Sequence, residues 1–147
     1  MATLDLESRE AQDISTFQLR DAADELMFAP PDAEGGDPVP VTVTVYGPGS
    51  KQYQAAQAAA SRRTLALLQK KGKVTGGDTR TPEERIADHA AHLADITVGF
   101  SNLSYRGLQG RELAVGVYSN PKLGYIAQQV NSHAADWANF TKGSAKP

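Results

Sequence analysis

Three histidines carry the most versatile chemistry in this chain: His89, His92 and His133. His89 and His92 lie three residues apart in a stretch predicted to be helical, with Asp88 and Asp95 nearby. That spacing sets two imidazoles and a carboxylate on one helix face. A zinc or iron site needs at least one more ligand in fixed geometry, and the remaining histidine belongs to another helix. The residues therefore read as a solvated face beside the apolar stripe that contains Leu93. Nucleophilic chemistry has little to work with. The chain has no cysteine, and no Gly-x-Ser-x-Gly elbow. Gly47-Pro48-Gly49-Ser50 follows a strand and opens a helix, as phosphate-binding loops do. Lys51 follows Ser50 instead of preceding it, however, and the segment reads as a turn with a serine helix cap. Arg62, Arg63, Lys70, Lys71 and Lys73 lack interleaved aromatics, so they read as a solvated helix end complementing the helix dipole. Glu83-Glu84 reads as helix capping, not as an acid–base pair. The sequence thus predicts no catalytic residue, cofactor or metal, and the chain is expected not to be an enzyme.

The aromatics are a different matter. Phe100, Tyr105, Tyr118, Tyr125, Trp137 and Phe140 crowd the last third of the chain. They suit either core packing between helices or an apolar face for another helix, and both readings stay open.

Composition limits what positions them. The chain has 147 residues, of which 40% are apolar, but 22 of the apolar residues are alanine. That supports one core, and a single domain is expected. No run of about 18 apolar residues is present, so no membrane span is expected. The N-terminus lacks the pattern of a secretory signal. Fifteen basic residues against seventeen acidic give a net charge of −2, which argues against nonspecific nucleic-acid binding.

Residues 1–13 are polar and acidic and read as a flexible arm. A small antiparallel β-sheet of two or three strands is expected over residues 14–47. Phe17 and Leu19 alternate with polar neighbours, and Leu26 and Phe28 suggest a short return strand. Residues 30–37 are turn chemistry. Val39, Val41, Val43 and Val45 give the clearest strand, with Pro40 suggesting an edge position or a start just after it. Residues 50–140 read as a helix-dominant region of three or four helices, making the fold α+β. Ser50 caps a helix to about Lys71, and Gly72 stops it. Residues 72–80 form a basic linker with a hinge near Gly76-Gly77. Thr81-Pro82-Glu83-Glu84 is a capping box. It opens a helix to about Asn102 whose face carries Ile86, Ala90, Leu93, Thr97 and Phe100. A shorter helix is expected over residues 110–118, and Asn120-Pro121 starts a last one. Its face carries Leu123, Ile126, Val130, Ala134 and Trp137. Residues 141–147 read as a flexible tail.

Tyr118-Ser119-Asn120-Pro121-Lys122-Leu123-Gly124-Tyr125-Ile126-Ala127-Gln128-Gln129-Val130, followed by Asp136-Trp137-Ala138-Asn139-Phe140, resembles the end of the tail assembly chaperones of tailed bacteriophages. Val43-Thr44-Val45-Tyr46-Gly47-Pro48-Gly49-Ser50-Lys51-Gln52-Tyr53 resembles that family's strand–turn–helix. So does the Thr81-Pro82-Glu83-Glu84 helix, which ends Val98-Gly99-Phe100-Ser101-Asn102-Leu103. Members often carry tryptophan near the Phe100 position. The resemblance spans about residues 40 to 140. It implies a non-catalytic protein of the infected host's cytoplasm, acting in virion morphogenesis. The expected partner is the helical tape-measure protein, kept soluble until tail-tube protein polymerises around it; contact with the tail-tube protein and homo-oligomerisation are left open. The expected contact surface is Phe100, Tyr118, Ile126, Val130 and Trp137. The alternative is a virion structural protein, either a head decoration or a tail-completion protein.

Overall fold

The computed structural model describes residues 2–31, 34–71 and 80–141, with the side chains of residues 70 and 71 excepted. The expected linker and its hinge, apart from Arg80, and the tail beyond Thr141 lie outside the described residues, as do Asp32 and Ala33 of the turn region.

Among the described residues, five strands and four α-helices follow in the order β1 (Ile14–Gln18), β2 (Phe28–Ala29), β3 (Val39–Pro40), β4 (Thr42–Tyr46), α1 (Lys51–Lys71), α2 (Pro82–Asp95), β5 (Thr97–Ser101), α3 (Gly110–Ser119) and α4 (Gly124–Ala135). The fold is α+β. β1, β4 and β5 form an antiparallel sheet with β4 in the centre, and β2 pairs with β3 beside it. Pro40 explains the break before β4: it has no N–H to give the ladder, so the long valine strand divides there. Both options for Pro40 have a counterpart: it lies in β3, an edge strand of the two-stranded sheet, and the central strand β4 starts just after it.

Alternation decides the sheet's faces. Val43 and Val45 are fully buried, as are Ser15 and Leu19 on the β1 side. Thr16 and Thr44 face the other way and share a 2.6 Å hydroxyl contact. The inner face meets a cluster drawn from every α-helix, including Ala56, Leu93, Val117, Ile126 and Val130, with Phe140 closing one end.

Local chemistry sets the helix starts. The Ser50 hydroxyl donates to the Gly47 carbonyl (2.8 Å) and accepts the Tyr53 N–H (3.1 Å). Thr81 and Glu84 exchange the two bonds of a capping box, at 3.1 and 3.0 Å. Asn120 caps a short 3-10 turn at Pro121–Leu123, and α4 follows directly.

The helix expected to reach Asn102 ends at Asp95, and residues 97–101 are strand β5. The sequence pattern misled for a physical reason. Thr97 pairs with Val45 and Phe100 with Val43, so both point inward. The register shifts between them, leaving Val98 as the extra, half-exposed residue of a bulge. A bulge puts residues three apart on one face of a strand, which imitates the stripe of a helix. Thr97, Val98 and Phe100 are also poor helix formers with an unpaired β4 edge to cover. Their pairing makes the sheet three-stranded with a strand from beyond residue 47.

The arm is anchored at its end. The Gln12 N–H donates to the Phe140 carbonyl (2.6 Å), and the Gly47 N–H to the Asp13 carbonyl (2.8 Å). Leu4 and Leu6 are exposed.

Candidate functional site

The five residues expected to form a contact surface separate into two groups. Tyr118, Ile126 and Val130 are 4%, 3% and 0% exposed. A partner cannot reach side chains so covered without opening the core, so this part of the expectation is corrected. Tyr118 is held by a 2.7 Å contact between its hydroxyl and that of Thr97, which also donates to the Leu93 carbonyl. Burial pushes its phenol up, against a smaller opposing effect of the Thr97 bond. Phe100 is half-buried, 5.9 Å from the Tyr118 ring. Trp137 alone of the five is well exposed, at 58%. It does not belong to α4. The helix stops at Ala135, the Asp136 carboxylate accepts the Ala138 N–H, and Trp137 opens a 3-10 turn over Gly49.

Accessible apolar surface lies elsewhere. A groove of about 370 Å³ runs between the β2–β3 hairpin and the segment after β5. One wall is Met27, Phe28, Ala29, Pro30 and Val41; the other is Leu103, Tyr105, Leu123 and Tyr125. Val117 and Ile126 contribute to its lining, so Ile126 touches the groove without standing out from it. Phe28 is 53% exposed and stands at the rim. Sequence reasoning placed Phe28 on a strand but did not show that it stays exposed. Alternation identifies two faces, whereas only tertiary packing shows which is left uncovered.

Part of the backbone around this groove is already occupied. The Met27 N–H donates to the Leu19 carbonyl and the Met27 carbonyl accepts the Val41 N–H. Pro40 has no N–H, and its carbonyl accepts from the Asn102 amide at 2.9 Å. What this groove offers a partner is chiefly apolar side-chain surface.

The polar candidates are also placed. Arg63 is not a solvated helix end: its guanidinium meets Asp88 at 2.8 Å and Asp95 at 3.8 Å. Arg80 also binds Asp88, and Arg111 binds Asp95. Among the described residues no group of three or more histidines, cysteines or carboxylates is arranged to hold a metal ion. His89 and His92 line a cleft between α1 and α2. His133 is elsewhere, stacked on Phe17 with ring centroids 4.0 Å apart and edge-on to Phe140. Its Nε2 contacts the hydroxyl of fully buried Ser15 at 2.9 Å. That pair resembles a serine–base couple, but a hydroxyl with no exposed surface cannot meet a substrate. It satisfies two polar groups inside an aromatic layer.

This environment has a consequence for acid stability. Burial lowers the His133 pKa below its ordinary 6.5, and Asp136 offsets part of that. A folded-state pKa below the unfolded one means that the unfolded chain binds the proton more tightly. The His133 contribution is therefore complete above about pH 6.5 and declines as pH falls toward the folded value. His89, lowered first by burial and then by His92, acts in the same direction. Melting temperature should fall as pH drops from about 7 to 5, and His133→Gln should flatten that slope. An unchanged slope in the variant would refute the assignment to His133.

No helix among the described residues is long and apolar enough to cross a membrane. No protein-family model, curated protein or solved structure matches this chain.

Proposed function

We propose that this chain is a non-catalytic tail assembly chaperone of a tailed bacteriophage, binding the helical tape-measure protein and keeping it soluble in the host cytoplasm. The observation that carries the reading is the groove beside Phe28, whose lining is largely apolar and part of whose backbone is already hydrogen-bonded. A partner that satisfies its own backbone and offers a stripe of apolar side chains is an amphipathic helix. A long helix with exposed apolar stripes is an aggregation hazard until it is covered. The groove falls within the roughly 300–1,000 Å³ usual for ligand pockets, which suits a few side chains held reversibly. The order of motifs from Val43 to Phe140 supports the same reading. The contact surface moves from the buried C-terminal residues to Phe28, Met27, Leu103 and Tyr125, with Trp137 on a separate face.

Co-expression with the tape-measure protein of the same phage tests this. The tape measure should become soluble and co-purify. Phe28→Asp should keep the fold, because the residue is more than half exposed. It should weaken co-purification by about 30-fold, as expected for replacing an aromatic anchor by a charge. A tape measure that remains insoluble, or binding indifferent to Phe28→Asp, defeats the proposal. Stoichiometric copies in purified particles would instead support a virion component, the head decoration or tail-completion protein.

A further inference from the structure

We propose that the cleft between α1 and α2 binds a phosphate group, a site independent of the groove beside Phe28. The two helices run antiparallel: Tyr53 meets His92 edge-on, while Arg63, about three turns further along α1, meets Asp88, about one turn back along α2. Arg85, His89 and His92 sit at positions i, i+4 and i+7 of α2, a spacing that lines them along one stripe. The stripe faces Gln57, Ala60 and Ser61 of α1, and Arg80 completes the lining. The methyl of Ala60 leaves room where a longer side chain would close the gap. The cleft measures about 590 Å³. That is larger than a phosphate alone needs and leaves space for a group attached to it.

The electrostatics favour an anion. Asp88 is the carboxylate among the lining residues, and its charge is met by Arg63 at 2.8 Å and Arg80 at 2.9 Å. Arg85 gives one N–H to the Arg80 carbonyl at 2.9 Å, and its planar guanidinium carries further donors. The Nδ1 atom of His92 is buried and has no hydrogen-bond partner among the described residues. A buried polar atom of this kind demands a partner. Arg85, His89 and His92 of α2 thus share the cleft with Gln57 and Ser61 of α1, and polar groups on two walls suit a tetrahedral anion better than a flat carboxylate. Binding should favour the protonated form of His89, which faces Arg80, Arg85, Asp88 and His92 at the cleft and whose pKa burial lowers, so affinity should rise as pH falls.

The test uses the whole chain and follows histidine ring resonances by NMR at about pH 6. Inorganic phosphate is titrated against chloride at equal ionic strength. His89 and His92 should shift saturably while His133 stays still. Arg85→Gln should weaken binding about tenfold with the circular dichroism spectrum unchanged. Adenosine monophosphate serves as the second probe. Tighter binding than inorganic phosphate assigns the site to an organic phosphate, and equal binding to the free anion. Shifts no larger than those in chloride with either probe, or a titration insensitive to Arg85→Gln, overturn the proposal.

Discussion

Phe140→Ala should destabilise the protein by about 3–5 kcal/mol, a large share of the roughly 5–15 kcal/mol that holds a typical domain. Phe140 is fully buried although it lies in a short 3-10 turn. Its ring packs so closely on Gly47 that a Cβ there would come within 2.5 to 2.8 Å of three ring atoms. Its other neighbour is the edge-on His133, and its carbonyl holds the Gln12 N–H. One residue thus ties the arm, the β4–α1 turn and α4 together. Gly47→Ala attacks the same contact from the other side and should cost about 1–3 kcal/mol by overpacking. Combined with Phe140→Ala it should cost less than the sum, since the new methyl would partly fill the cavity. Urea denaturation measures all three. A cost below about 1 kcal/mol for Phe140→Ala would show that the turn is not part of the core.

Val130→Asp should abolish stable folding, at a cost of about 4 kcal/mol or more, and should do so without any partner present. Val130 has no exposed surface and sits on α4, which packs against β4. An aspartate there either desolvates its charge or holds its proton at a raised pKa, and both oppose folding. The contrast with Phe28→Asp separates the two meanings of an apolar residue in this chain. One substitution should unfold the protein; the other should leave it folded and weaken partner binding. A Val130→Asp protein that melts cooperatively near the wild-type temperature would mean that α4 is less firmly docked than its burial indicates.

Much of the architecture was legible because its causes are local. The caps at Ser50 and Thr81 announce their helices through hydroxyls three residues from the N–H groups they accept, and both bonds are present. The valine alternation fixes which side of β4 is buried before any neighbour is known. What failed at Thr97–Ser101 failed because a bulged strand and a helix share a three-residue spacing; an open β4 edge, formed by residues some fifty positions earlier, settled it.

The candidate site was less legible. An aromatic stripe says that a face is apolar, and burial against the chain's own sheet satisfies it as well as burial against a partner does. Tyr118, Ile126 and Val130 took the first course. Phe28 carries no sequence mark that distinguishes it from Phe17, yet Phe17 stacks on His133 and Phe28 stands at the rim of a groove.

By itself, then, the sequence determined the α+β class, the helix starts and the buried face of the central strand. These follow from hydrogen bonds and alternation within a few residues. Only the tertiary structure decided that β5 is a strand, which apolar residues remain accessible, and that Arg85, His89 and His92 face α1 across a cleft. Those outcomes depend on which surfaces, distant along the chain, reach a given face first and cover it.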